Sequence, residues 1–324
     1  MHTPADMTQW KGRIDAAEGQ AGRRWHQIMQ PWASEAVQGV ALTGFACDAG
    51  VHRNHGRPGA RKGPGAIRSM LSNMPVLECQ TLYDAGDIAP VASGSHDGLE
   101  QAQDELSSHL AGLLAQGLLP ITLGGGHEIA FGSFEGLARH LATAASSDSP
   151  PRIGIVNLDA HFDLRQDDRG SSGTPFRQIA ENCRQRGWPF NYCCLGVSRY
   201  ANTQALFDRA ESLDVSWMLD EELGTADRTN ALSRLDAFLH AVDHVYFTIC
   251  LDVLPACVAP GVSAPAARGV PLEVVEALAD HVAASGKMRL ADIAELNPDF
   301  DIDHRSARVA ARLVARIANQ AGAL

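Results

Sequence analysis

Positive charge is in short supply along this chain. Its 27 Lys and Arg stand against 38 Asp and Glu, a net charge of −11. A polyanion is held by clustered cations, so this balance excludes nucleic acid and an anionic membrane surface as partners. A small anionic substrate in a locally basic pocket is still admissible. A long apolar run is missing too: the stretch from about Leu110 to Leu123 is broken by Gln116, Gly117 and Pro120 and is too short to span a bilayer. The first residues, Met1-His2-Thr3-Pro4-Ala5-Asp6, offer neither a charged n-region nor an apolar h-region, so no secretory signal is expected and the location is expected to be cytoplasmic. Among the 7 cysteines, Cys47, Cys79, Cys183, Cys193, Cys194, Cys250 and Cys257, no CxxC pair occurs, and the odd number suits reduced thiols better than a disulfide framework. Cys79, Cys183, Cys193 and Cys194 read as buried small hydrophobes. No internal repeat or long low-complexity tract is visible, and inside the chain only Ala144 to Pro151 reads as a flexible turn.

What is present is an alternation. With 324 residues and 45% hydrophobic composition the chain can bury a large core. Residues 1–37 are polar, carry Trp10, Trp25 and Trp32, and show helical spacing around Ile14 to Met29, which reads as an N-terminal appendage packed on a domain spanning 38–324. From Val40 onward short apolar runs alternate with helix-like segments. Strands are expected at Val40–Phe45, Leu82–Tyr83, Leu118–Leu123, 153–159, 244–250 and 289–295. Helices are expected near 65–71, 97–116, 128–142, 202–211, 227–241, 271–285 and 303–321. Repeated β then α predicts a single three-layer α/β/α domain with a mainly parallel sheet and helices on both faces.

Three of the expected strands end in potential metal ligands. Ile153-Gly154-Ile155-Val156 leads to Asp159-Ala160-His161-Phe162-Asp163, with ligands at every second position, which an extended chain would point to one side. The run to Leu123 leads to Gly124-Gly125-Gly126-His127-Glu128, where the glycines allow a sharp turn before the imidazole. Val245 to Ile249 leads to Cys250-Leu251-Asp252. A lone His at a strand end is more often a satisfied polar residue. The recurrence after separate strands favours a metal, because ligands in open α/β sheets sit beyond the carboxyl ends of the strands.

These segments resemble the ureohydrolase superfamily, which contains arginase, agmatinase and formimidoylglutamase. The likeness covers about Gly44 to Pro298, and includes Gly56-Arg57-Pro58-Gly59-Ala60, Gly63-Pro64, Asp252-Val253-Leu254-Pro255, Ala259-Pro260-Gly261 and Glu295-Leu296-Asn297-Pro298. It implies an arginase-like fold, a homo-oligomer and two Mn2+ ions. One ion would be held by His127, Asp159, Asp163 and residue 250, the other by Asp159, His161, residue 250 and Asp252. Such a pair lowers the pKa of a shared water and generates hydroxide near neutral pH. The resemblance makes Glu295 the acid that meets the cationic substrate head and Asp163 a candidate proton relay.

Within the superfamily, the arginases and agmatinases carry a His-Gly where this chain reads Ser172-Gly173. Together with Thr174-Pro175-Phe176, Gly196 to Thr203, and Val262-Ser263-Ala264-Pro265, this looks most like the formimidoylglutamases, which hydrolyse N-formimidoyl-L-glutamate to glutamate and formamide in histidine breakdown. Arg57, Arg165, Ser172, Thr174 and Arg199 are candidates for holding the two substrate carboxylates. A guanidino hydrolase acting on agmatine, arginine or guanidinobutyrate is the alternative of the same class. One departure stands out: the family pattern has Asp-x-Asp where this chain has Cys250-Leu251-Asp252. Asp243 is no substitute, lying roughly 23 Å back along an extended strand. Three outcomes stay open: Cys250 binds as a thiolate and shifts preference toward Zn2+ or Fe2+; it stays out of the shell and leaves a weakened or single-metal site; or the chain is a metal-poor, non-catalytic relative.

Overall fold

The apolar runs assemble into a ten-stranded sheet. Its strands are β1 (His2–Thr3), β2 (Met29–Pro31), β3 (Gly39–Phe45), β4 (Leu82–Ile88), β5 (Leu118–Leu123), β6 (Ile153–Leu158), β7 (Asn191–Val197), β8 (Ser216–Leu219), β9 (His244–Cys250) and β10 (Met288–Ala294). The computed structural model describes every residue except 37, 78–80, 95, 145–148 and 323–324. Cys79 and the centre of the Ala144–Pro151 stretch lie outside the described residues. The strand order is β1-β4-β3-β5-β10-β9-β6-β7-β8, with β2 also on β4, and all described pairings are parallel except β1 with β4.

Side chains of each central strand alternate between two buried faces, which is why the runs are apolar throughout. Val245, Phe247 and Ile249 join one core, and Tyr246 joins another. In the same way Val156 and Leu158 face away from Ile153 and Ile155. The first face is covered by α2 (Gly63–Ser72), α7 (Arg228–His240), α8 (Leu272–Ala284) and α9 (Arg305–Gly322), the second by α3 (Leu99–Ala115), α4 (Ile129–Ala144) and α5 (Pro175–Arg186). Two shorter helices, α1 (Ala49–Arg53) and α6 (Gln204–Ser212), sit in connections. No helix of the described residues is long and apolar enough to cross a membrane.

The first residues depart from the helical spacing expected of them. Around Ile14 to Met29 the chain forms short 3-10 turns, Ala16–Gly22 and Trp25–Gln27, and Gly19 at φ 59°, ψ −136° breaks the first. Trp25 is fully buried, and the Trp10 indole N–H donates to Asp84 at 2.7 Å, where Asp84 also meets the buried Arg68 guanidinium. β1 and β2 add to the free edge of β4. Between Asp159 and Asn202 no regular element is expected from the pattern, yet α5 and β7 lie there. The strand Asn191-Tyr192-Cys193-Cys194-Leu195-Gly196-Val197 hides its pattern behind cysteines that pack as hydrophobes.

Candidate metal centre

Four neighbouring strands of the sheet end level with one another. In the order β5-β10-β9-β6, Leu123 stands beside Ile293, Ile293 beside Ile249, and Ile249 beside Leu158. The residues that follow therefore leave the sheet at one height: Gly124, Ala294 and Glu295, Cys250, and Asp159. Each segment then turns over the sheet instead of running on. Leu251–Val253 is a 3-10 turn. The chain bends after Leu158, with the His161 N–H donating to Asp159 Oδ1 at 2.7 Å and Asp163 at φ 48°. The three ligands of that segment thus converge through a turn, and the extended-strand geometry read from their spacing is not what brings them together. Glu295 turns back at φ 70°. A Cβ at Gly125, φ 100°, would fall 2.5 Å from the Phe45 carbonyl oxygen, so only glycine lets the His127 loop pass there. That loop is pinned to β10 by Gly124 N–H to Ile293 O at 2.7 Å and Glu295 N–H to Gly125 O at 2.8 Å.

His127 Nδ1 lies 2.9 Å from Asp159 Oδ2 and 2.9 Å from Asp163 Oδ2. It nevertheless makes no hydrogen bond, because neither oxygen lies in the direction an N–H would take. Nitrogen and oxygens instead face a common point. The other ring nitrogen, Nε2, is 3.1 Å from Thr248 Oγ1, a contact that fixes the ring and leaves Nδ1 free to act as a ligand. Ligand atoms of His127, Asp159 and Cys250 lie within 4.8 Å of one another, and so do those of Asp159, His161 and Asp252. The two groups share Asp159. Asp159 is fully buried, with Asp252 4% exposed beside it. Buried carboxylates at this spacing are costly without cations, and oxygen and imidazole donors suit divalent ions, so the donor set fits a pair of metals.

Residues 38–319 match the sequence profile of the arginase family. The chain belongs to that family. It is 63% identical to a formimidoylglutamase of Ralstonia nicotianae over 319 residues, covering 98% of this chain and 96% of the relative. It is 54% identical to a formimidoylglutamase of Aeromonas hydrophila, covering 97% and 98%. Among solved structures it resembles the Trypanosoma cruzi formiminoglutamase crystallised with Mn2+2, at a TM-score of 0.78 and 27% identity, covering 93% of this chain and 99% of that one.

Above these side chains opens a cavity of about 310 Å³, with His127, His161, Asp163, Cys250, Asp252 and Glu295 at its floor. Of the residues proposed from sequence for the substrate, Arg57, Arg165 and Ser172 line it. The Arg57 guanidinium is occupied: it donates to the carbonyls of Ser263 and Val262 and stacks on Phe300. Arg165 makes no side-chain hydrogen bond or ion pair among the described residues, and it also lines an adjoining hollow with Arg53 and Arg209. Ser172 Oγ accepts from Asn54 Nδ2 at 3.2 Å. Thr174 and Arg199 are not in the cavity. The Thr174 hydroxyl donates to Gln178 Oε1 and accepts the Ser171 N–H at the start of α5, whereas Arg199 faces Glu221 at a separate surface hollow. Sequence reasoning passed over Asn54, His55 and Ser263 on the wall. It also passed over the buried polar residues beneath: Asn157, Thr248 and Asp292, with Tyr246 donating to Asp292 Oδ2 at 2.7 Å. Their signal was a single polar residue within each apolar run, and the three stand level in register, Asn157 beside Thr248 and Thr248 beside Asp292.

Without cations this centre holds protons. Burial, then the Asp159 charge, pushes Asp163 up to about 6. Burial, then the Glu128 charge, pushes Glu295 up to about 8. Burial works against charge on His127 and His161, but the surrounding Asp159, Asp163 and Asp252 outweigh it and hold both imidazoles well above their ordinary value. All these groups have raised pKa values, so between about pH 5 and 8 they bind more protons in the folded metal-free chain than in the unfolded one, and the stability they contribute falls as pH rises. Chelator-stripped protein should therefore show a lower Tm at about pH 8 than at about pH 6, with added Mn2+ closing most of the gap. Calorimetry at the two pH values checks this, and a metal-free Tm that increased with pH would contradict it. Because Asp159 belongs to both groups of ligands, Asp159→Ala should lose metal at both; elemental analysis showing undiminished metal would remove Asp159 from the centre.

Proposed function

We propose that the chain hydrolyses N-formimidoyl-L-glutamate to L-glutamate and formamide, the corresponding step of histidine degradation, with two Mn2+ ions held by His127, Asp159, His161, Asp163, Asp252 and the residue at 250. The observation that carries this reading is the pairing, in one cavity, of an acid-lined floor with an unpaired guanidinium on the wall. An amidinium cation suits the floor, and the carboxylates of a glutamyl group suit the wall. The full-length identity to formimidoylglutamases supports the same substrate. When bound, the cations supply Lewis acidity and a water acidic enough to yield hydroxide near neutral pH.

The chain's own side chains account for the rest. Glu295 Oε1 accepts the His127 N–H at 2.9 Å, and its Oε2 is buried without a partner. That free oxygen is positioned to take an N–H of the formimino group and hold the amidine carbon over the floor. Asp163, at the floor beside His127, is the group placed to carry a proton to the departing nitrogen. Arg165 is placed to hold a substrate carboxylate, with Arg57 bracing the loop that closes the same wall. Ser172 and Asn54 offer short hydrogen-bonding groups where a guanidino hydrolase would have its imidazole. The unpaired thiols among the described cysteines support a reducing, cytoplasmic setting.

Assaying Mn2+-loaded protein on formimidoylglutamate, agmatine and arginine side by side tests the substrate: formimidoylglutamate should turn over fastest, and faster release of urea from either guanidino compound would refute the reading. Glu295→Gln keeps the shape of the floor but removes its charge. Metal content should survive while kcat/KM falls by the equivalent of roughly 2 kcal/mol or more. Kinetics indistinguishable from the native protein would reduce Glu295 to an anchor for the His127 loop.

A further inference from the structure

We infer that Cys250 is a thiolate ligand of the ion held by His127 and Asp159, so that the centre of this chain prefers a thiophilic divalent cation to Mn2+ at that position. The inference rests on the metal-centre reading above and narrows it. Cys250 is the last residue of β9, level with Asp159 at the end of β6, and its side chain is 1% exposed. Its Sγ gathers with His127 and Asp159 ligand atoms, all within 4.8 Å. The Nδ1 of that histidine is itself buried without a hydrogen bond, 2.9 Å from Asp159 Oδ2. Cys193, another buried thiol of the sheet, belongs to no such gathering and packs in the apolar core. The sulfur at 250 is thus placed among ligands rather than among hydrophobes.

No acid stands in for it. Asp243, the carboxylate nearest before it in the chain, is at the far end of β9 and is taken up by Arg152 in a two-pronged ion pair at 2.6 and 2.9 Å. The ion at His127 and Asp159 is left with one imidazole, the carboxylates of Asp159 and Asp163, and one sulfur. Mixed nitrogen, oxygen and sulfur donors favour Zn2+, Fe2+ or Co2+ over Mn2+, whereas the neighbouring group of Asp159, His161 and Asp252 offers only oxygen and nitrogen. On binding, the S–H bond breaks, a metal–sulfur bond forms, and the proton leaves through the cavity to solvent.

Co2+ titration of the stripped native protein tests this by its spectrum, independent of turnover. A sulfur-to-cobalt charge-transfer band should grow with the first equivalent, and it should vanish in Cys250→Ser and Cys250→Asp while both variants still take up cobalt. In parallel, competition between Zn2+ and Mn2+ should show the native protein's preference for zinc reduced about tenfold or more in Cys250→Asp. Native protein that binds Co2+ without the band, or a zinc preference unchanged by Cys250→Asp, would overturn the inference and leave the metal centre standing. Native protein that binds no Co2+, Zn2+ or Mn2+ would overturn the inference and the metal centre together. The native spectrum decides the question even if both variants fail to fold.

Discussion

The structure depends on one electrostatic constraint: acids buried beside one another at the end of a sheet. Asp159, Asp163 and Asp252 meet where four parallel strands stop at one height, and water is largely excluded from them. Left alone they repel: Asp163 and Asp252 are pushed toward holding protons, while Asp159 stays charged between His127 and His161, which are drawn into the cationic form. A pair of divalent cations removes the need for both responses. The centre is therefore a place where the fold is destabilised for the sake of a ligand, as functional sites commonly are.

That tension is held in place by the rigidity of the surroundings. Glu295 and Asp163 sit at positive φ although neither is glycine, and Glu295 is fixed there by its neighbours. Glu295 donates its N–H to Gly125 and accepts the N–H of His127, joining the end of β10 to the loop after β5. Asn297 donates to the carbonyls of Arg57 and Pro58, drawing the cavity's outer loop onto the same segment. The Gly59 Cα approaches Asn297 so closely that an added Cβ would fall 2.2 Å from its side-chain oxygen. The ligand loops are thus one interlocked unit, and a shift in any of them is felt at the floor of the cavity.

Much of this was legible in the sequence, because apolar runs followed by His, Asp and Glu report where buried strands end. The runs Ile153–Val156 and Val245–Ile249 announced β6 and β9, and the residues beyond them are the Asp, His and Cys side chains that the fold brings together. Less legible was the means of convergence. Alternation in Asp159-Ala160-His161-Phe162-Asp163 suggested an extended segment, while the chain in fact bends, a consequence of the His161 N–H finding the Asp159 carboxylate two residues back. Which cations on the cavity wall are free was not legible at all, since that depends on who else claims them. Arg57 and Arg165 look alike in sequence, but distant carbonyls of Ser263 and Val262 occupy the first and leave the second open. Thr174 likewise looked like a substrate donor and is consumed in starting α5.

The fold is that of the arginase family, and the reading of this chain's own chemistry turns on two residues of the cavity: Ser172 on its wall, and Cys250 beside His127 and Asp159. Both gain meaning only if the floor holds cations. Anomalous diffraction from crystals soaked in Mn2+ is the most direct measurement of that claim. The account predicts two anomalous peaks, one bounded by His127, Asp159 and Asp163 and the other by Asp159, His161 and Asp252. A difference map with no peak between these side chains, from protein whose fold is intact, would contradict it.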